Sequence, residues 1–292
     1  MIQSNFSLDP VSLPGSLQGK LQQVRAAGFD QMMLWGSDLA NHPGGYDEAV
    51  RLVRASELRI TGMQVLRDYE GRSPTRHQYK VDIAKELLKI CKAVGAPMLL
   101  VTSSTEEPAP DASDYLHDLR KLANLGVPFN VRIGYKAVPW AHSVRTASDA
   151  WSVVADVDHQ NFHLVLDTLH MLMTGADLSL LEDVDPNRIA LVQLADFSEA
   201  AMFTDPDRRV AANHNRVFPG DGGHNTRLTE MVRAIDRIGY RGDYSFLVMN
   251  DDYRQLPAYV VTDHAKRSAH WLTNQVLRRA LQPRLPQYAS DS

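Results

Sequence analysis

Short apolar runs rich in β-branched and aromatic residues alternate along this chain with longer segments whose apolar residues recur at helical spacing. A run near Phe6 to Leu13 reads as the first strand, and Leu17, Leu21 and Val24 mark a helix that stops at Gly28, a residue type suited to the left-handed position after a helix. Strand character returns at Met32 to Trp35, Arg59 to Leu66, Met98 to Val101, Phe129 to Tyr135, Phe162 to Leu166, Ile189 to Leu194 and Tyr244 to Met249. Helical stripes lie between them. They run through Ala49 and Leu52, through Ile83, Leu87, Ile90 and Val94 up to Gly95, and then from Tyr115 to Leu125, Ala147 to Val154 and Leu178 to Leu181. Leu228 to Ile238, closed by Gly239, and a final stripe through Ala265, Ala269 and Leu272 complete the series. Only Phe197 to Asn225 is a long polar stretch. The alternation counts to about eight β/α units and predicts one α/β domain, a (β/α)8 barrel over residues 1–281, with a loosely held polar tail at 282–292.

An open, doubly wound sheet shares this alternation, because periodicity does not report closure. The strand-to-helix turns carry neither G-x-G-x-x-G nor G-x-x-x-x-G-K-[ST], so no dinucleotide or nucleoside triphosphate site is signalled. The 292 residues are 44% hydrophobic, enough for one large core. With 35 acidic against 31 basic residues the formal net charge is −4, and neither sign forms a long block, which argues against nucleic acid or an anionic membrane as partner. A single cysteine, Cys91, excludes a disulfide framework and a cysteine-based zinc cluster, and fits a reducing cytoplasm. No signal-peptide pattern opens the chain, and no apolar run approaches the ~20 residues that cross a bilayer.

In such a barrel the chemistry sits where strands end, so the polar residues that close each apolar run are the candidates. Arg67, Asp68 and Glu70 follow the third strand, Lys136 the fifth, Asp167 and His170 the sixth, and Gln193 and Asp196 close the seventh. Arg216 and Asp221 lie in the polar stretch after it. Each has a plainer reading: Asp167 as a helix cap, His170 as a hydrogen-bonded core histidine, Arg67 and Arg216 as partners of Asp68 and Asp221, and Gly220 and Gly222 as loop geometry. Lys136 directly after a strand is at the mouth, and two arginines there suit an anionic substrate.

These segments together resemble the xylose-isomerase-like TIM barrels, most closely the 3-dehydroshikimate dehydratase branch. The resemblance runs from about Val11 to Trp271 and rests on V-S-L-P-G-S-L from Val11, A-A-G-F-D from Ala26, L-R-D-Y-E-G from Leu66 and R-I-G-Y-K-A-V-P-W from Arg132. It continues with L-V-L-D-T-L-H from Leu164, I-A-L-V-Q-L-A-D from Ile189, R-V-F-P-G-D-G from Arg216 and Y-R-G-D-Y-S-F-L-V-M-N-D from Tyr240. It implies a divalent metal (Mg, Mn, Co or Zn) held by two glutamates, an aspartate and a glutamine, used to stabilise an enolate. The aspartate matches Asp167 and the glutamine Gln193, but the glutamate positions carry Lys136 and Leu247, and a further acidic position carries Met33. His170 matches a proton-transfer histidine, and Arg67 and Arg216 match substrate-binding arginines, with Glu70, Asn250 and, through a substrate hydroxyl, Gln193 taken as further substrate contacts.

Three carboxylates around a divalent ion sum to about minus one, whereas Asp167 with a protonated Lys136 sums to about zero, and an ammonium repels a hard cation. The expectation is therefore no metal, with Asp167, Gln193 and His170 as the lesser alternative ligand set. Lys136 is expected as the electrophile that replaces the metal; Schiff-base formation and general acid/base work with His170 are the other roles open to it. The expected function is a lyase or isomerase acting by proton transfer next to the carbonyl of an anionic keto/hydroxy compound. The alternative is a small-molecule-binding descendant that has lost the reaction. A homo-oligomer is compatible with either.

Overall fold

The computed structural model describes residues 5–112, 114–198 and 204–278, so the expected tail at 282–292 lies outside the described residues. Seven parallel strands, β1 (Phe6–Leu8), β2 (Gln31–Trp35), β3 (Arg59–Leu66), β4 (Met98–Thr102), β5 (Arg132–Lys136), β6 (Phe162–Asp167) and β7 (Ile189–Leu194), pair in chain order. A closing strand, Tyr244–Phe246, pairs with both β7 and β1, so the sheet has no free edge and the open-sheet alternative is excluded. This is the (β/α)8 barrel that the alternation predicts.

Several boundaries differ from the sequence reading for identifiable reasons. The first strand ends at Leu8 because Pro10 opens a 3₁₀ turn, Pro10–Ser12, whose start is capped by Asp9 accepting from the Val11 amide at 3.0 Å. The fifth begins at Arg132 rather than Phe129, since Val127–Phe129 forms a 3₁₀ turn that Asn130 ends in the left-handed region at φ 55°. The eighth stops at Phe246 rather than Met249. The polar stretch after β7 is structured: Thr204 and Asp207 form a capping box at the head of the helix Asp205–His214, the T-D-P-D signal that sequence reading passed over. After that helix, Arg216–Val217 returns to pair antiparallel with Asp196–Phe197. That two-residue ribbon carries Arg216 back over the barrel mouth.

Alternation along the strands divides the apolar residues between two cores. In β4, Leu99 and Val101 join the large cluster shared with the helices, whereas Met98 and Leu100 join Met33, Val165, Ala190 and Leu191 in a smaller cluster. Met98 fits there because two neighbours have no side chain. A Cβ at Gly62 would lie 2.7 Å from Met98 Cε, and one at Gly134 would lie 2.7 Å from its sulfur and 2.8 Å from Val165 Cγ2. Toward the N-terminal ends of the strands the interior turns polar, with Ser7 Oγ 3.1 Å from Thr61 Oγ1 and 3.3 Å from Ser245 Oγ. The packed floor leaves the C-terminal mouth as the place where polar side chains converge.

Because that contact is tight on two sides, Gly134→Ala should destabilise the barrel by about 1–3 kcal/mol, and trimming Met98 to Val in the same chain should recover part of the loss. Urea unfolding followed by circular dichroism checks this, and an unchanged midpoint for Gly134→Ala would contradict the packing argument.

Candidate active site

Strand register brings the candidate residues together. Lys136 ends β5 beside Thr102, and Asp167 ends β6 directly opposite Gln193 on β7. The Thr168 hydroxyl donates to the Ala195 carbonyl at 2.9 Å and accepts from the Ala195 amide at 3.1 Å, which locks the ends of β6 and β7 together. Lys136 Nζ then donates to Asp167 Oδ2 at 3.1 Å and to Gln193 Oε1 at 2.6 Å. Arg216 Nη1 reaches both oxygens of Asp167 at 3.2 Å, while its Nε donates to the Ala212 carbonyl at 2.7 Å. Asp167 also caps the short helix Thr168–Met173, accepting from the amides of Leu169 and His170 at 3.1 and 3.4 Å. The capping reading of this aspartate therefore holds, and the same carboxylate stands among the mouth residues.

Electrostatics follow from burial. Lys136, Asp167 and Arg216 are 4%, 3% and 2% exposed, so one another and the few dipoles around them replace water for their charges. Burial alone would raise the Asp167 pKa, but Arg216, His170 and Lys136 together outweigh it and hold the carboxyl well below the usual carboxylate range. Burial lowers the Lys136 pKa, with Asp167 opposing and Arg216 adding to the fall. His170 is pushed down to about 3, chiefly by burial, so its ring is neutral at pH 7. With the Ala137 carbonyl 3.1 Å from Nδ1, the proton sits on Nδ1, and Nε2 accepts from Arg216 Nη2 at 3.1 Å. Trp140 meets the His170 ring edge-on at 5.3 Å between centroids.

Above this cluster opens a cavity of about 420 Å³ walled in part by Lys136, His170, Arg216, Arg67, Gln64 and Trp35. Arg67 is exposed, and Asp68 does not pair with it: that carboxylate accepts instead from the Thr105 amide and hydroxyl at 2.8 and 3.0 Å. Asp221 likewise meets His264 at 2.6 Å rather than Arg216. Glu70 and Asn250 point elsewhere. Glu70 accepts from the Ser104 amide at 2.8 Å and the Tyr135 hydroxyl at 3.0 Å, lines a separate cavity of about 160 Å³, and has its pKa raised by burial. Asn250 donates to the Arg216 carbonyl at 2.9 Å and accepts from the Tyr253 amide at 3.0 Å, so it props the segment that carries Arg216.

Other cavity residues had no strand-end signature. Arg209, Asn213 and His214 share the helix Asp205–His214 and line the same space, with Arg209 6.0 Å from the Trp140 ring centroid. Their spacing on one helix was the available clue, hidden because the segment reads as loop. Gln64 and Asp9 were also missed. Gln193 Nε2 donates to Gln64 Oε1 at 3.4 Å, Gln64 Nε2 donates in turn to Asp9 Oδ2, and Asp9 Oδ1 accepts from Trp35 Nε1 at 2.7 Å. Burial lifts the Asp9 pKa to about 7 against those hydrogen bonds and the charge of Lys136.

The residues present do not fit the divalent metal of the expected family. Lys136 Nζ bridges the two oxygens, Asp167 Oδ2 and Gln193 Oε1, that would face such an ion, and Arg216 takes both Asp167 oxygens from the other side. A hard cation needs anionic oxygen that is free to bind it, and here one carboxylate already serves two cations.

Comparison with known proteins places the fold. The family model described as the xylose isomerase-like TIM barrel matches residues 21–274. A 3-dehydroshikimate dehydratase from Pseudomonas aeruginosa is 32% identical over 286 residues, covering 98% of this chain and 44% of the relative. An inosose isomerase from Halalkalibacterium halodurans is 24% identical over 227 residues, covering 75% of this chain and 77% of the relative. Among solved structures, a xylose isomerase-like TIM barrel/4-hydroxyphenylpyruvate dioxygenase fusion protein superposes with a TM-score of 0.85 at 30% identity, over 94% of this chain and 43% of that one. The chain thus spans less than half the length of the dehydratase and of the fusion protein.

The buried histidines set the acid limb of stability. A histidine whose folded pKa is depressed binds fewer protons folded than unfolded between the two values, so stability should rise with pH from about 3 to the unfolded value near 6.5 and level off above it. His163, pushed down to about 4 mainly by burial, adds to the same limb. His170→Gln should flatten the fall in urea midpoint between about pH 7 and pH 4.5, relative to the unsubstituted chain. An identical slope in both proteins would remove His170 from the account.

Proposed function

The chain belongs to the xylose isomerase-like TIM-barrel family, and from that premise we propose that it catalyses proton transfer next to a carbonyl, a dehydration or an isomerisation, with Lys136 in the place of a divalent metal. The observation that carries the proposal is the placement of the Lys136 ammonium. Two of its three hydrogens go to Asp167 and Gln193, and the residue lines the mouth cavity, so the third is available to a substrate carbonyl oxygen. A charge held there in advance stabilises a developing enolate far more than one in water, because nothing must reorient as the reaction proceeds.

The substrate class follows from charge. Lys136 and Arg216 both pair with Asp167, and Arg67 and Arg209 add positive charge to the walls, which suits an anionic polyhydroxylated keto compound. The similarity to 3-dehydroshikimate dehydratases and inosose isomerases makes cyclic keto compounds of those kinds the first to assay. In a dehydration, a base removes the proton beside the carbonyl and the enolate oxygen rests on Lys136. The β-hydroxyl then departs as water with the same proton, and the enolate electrons form the new double bond.

His170 is the proposed carrier of that proton. Its Nε2 lone pair accepts from Arg216, so it is freed as a base when a substrate carboxylate takes over that guanidinium hydrogen. Asp167 Oδ2, 3.7 Å from the ring, then favours the imidazolium that forms. The same Arg216 contact is what favours the other reading, a binding protein in which His170 only holds Arg216 in place.

Lys136→Met keeps approximate length without charge and should lower turnover by about a hundredfold or more, comparable to losing one oxyanion donor. A chelator should leave the activity of the unsubstituted chain unchanged. Steady-state assays on 3-dehydroshikimate and inososes, with and without divalent ions, test both points. Wild-type turnover by Lys136→Met would reject the electrophile role, and no turnover of any such compound by the unsubstituted chain would favour the binding reading. Restoring carboxylates with Lys136→Glu and Leu247→Glu together should create divalent-ion binding measurable by titration calorimetry, and failure to bind Mn²⁺ or Co²⁺ would contradict the view that Lys136 displaced a metal site.

A further inference from the structure

A continuous line of hydrogen bonds crosses the barrel mouth from Lys136 through Gln193 and Gln64 to Asp9. Its members come from β5, β7, β3 and the turn after β1, so it spans the barrel rather than following one element. The two ends differ in kind. An ammonium only donates, Asp9 once ionised only accepts, and each amide between them has one donor end and one acceptor end. A chain of that composition satisfies all its contacts in a single sense, with both amide oxygens directed toward Lys136 and both amide nitrogens toward Asp9.

We infer that Asp9 is a positioning residue for Lys136: by ending this chain with an acceptor, it obliges Gln193 to present its oxygen, and not its NH₂ group, to the ammonium. Asp9 is itself held firmly. Its Oδ1 accepts from Trp35 Nε1 at 2.7 Å and from the Val11 amide at 3.0 Å, which leaves Oδ2 as the atom facing Gln64. Gln64 is 3% exposed, and Gln193 is fully buried, so water has little room to repair a mismatched contact. Lys136 makes the same demand from the other end, so Asp9 decides whether Gln64 and Gln193 can meet it with no contact left mismatched, while Asp167 fixes the other side of the ammonium.

The inference deepens the proposed role of Lys136 and rests on it for the catalytic consequence, but its test reads hydrogen-bond order without any substrate. In Asp9→Asn the two donors at Oδ1 still demand oxygen, so the new NH₂ must face Gln64. Both ends of the chain then donate, and no setting of the two amides satisfies every contact. Gln64→Glu has the opposite fault, with two acceptors meeting. Combining the two substitutions moves the acceptor one link along. The introduced asparagine and Gln193 then both donate to the introduced glutamate, and Gln193 again offers oxygen to Lys136.

Thermal unfolding at about pH 8.5, where Asp9 is ionised, should show each single variant lowered by about 3–10 °C and the double variant within about 2 °C of the unsubstituted chain. Glutamine-selective ¹⁵N labelling supplies a second readout that packing alone would not move. The Gln64 side-chain NH₂ should show a nuclear Overhauser contact to the Asp9 methylene in the unsubstituted chain, and the Gln193 NH₂ should keep its place in the double variant. Should either single variant fail to fold, recovery of a folded double variant makes the same point. Additive losses in the double variant, or a Gln193 NH₂ that turns away from residue 64 there, would overturn the inference.

Discussion

One carboxylate shared between two buried cations governs the mouth of this barrel. Asp167 meets Lys136 at 3.1 Å and Arg216 at 3.2 Å, and none of the three has appreciable exposure to water. Charges removed from water are tolerable only when they are paired and hydrogen-bonded, so the position of each depends on the other two. The arrangement also explains why so many unrelated segments have to meet. β5 supplies the lysine, β6 the aspartate, and the loop after β7 must double back in a ribbon to bring the arginine, with Asn250 fastening that ribbon from the far side.

The same pairing sets the charge of the cavity. Lys136 and Arg216 meet on one carboxylate at the base of a space whose walls add Arg67 and Arg209. Arg216 also engages His170 Nε2, on a ring that burial keeps neutral. Asp167, His170 and the Ala212 carbonyl together leave that guanidinium well satisfied.

The barrel was legible because a βα unit has to place apolar residues at period two on a strand and near 3.6 on a helix, and those periods survive in the linear order. Where the periods fade, the reading failed. The capping box at Thr204 and Asp207 announces a helix whose exposed face is almost wholly polar, and with few apolar positions to repeat, that helix passed for a loop along with Arg209, Asn213 and His214. The strand ends erred by a few residues wherever a proline or a left-handed asparagine cut the pattern short, as at Pro10 and Asn130.

For the site itself, the sequence by itself determined which polar residues end the apolar runs, and hence that Lys136, Asp167, His170 and Gln193 would stand at the mouth, because strand length sets how far along the barrel axis a residue is carried. Partnership was decided only by the tertiary structure. Arg67 with Asp68 and Arg216 with Asp221 look like pairs in the chain, yet Asp68 turns to Thr105, Asp221 to His264 and Arg216 to Asp167. Arg67 and Glu70, close in the chain, likewise part company into separate cavities. The reason is geometric: neighbours in sequence at a strand end diverge to opposite sides of the sheet, while closure of the barrel brings together residues from strands far apart in the chain, as it does for Asp9 and Lys136.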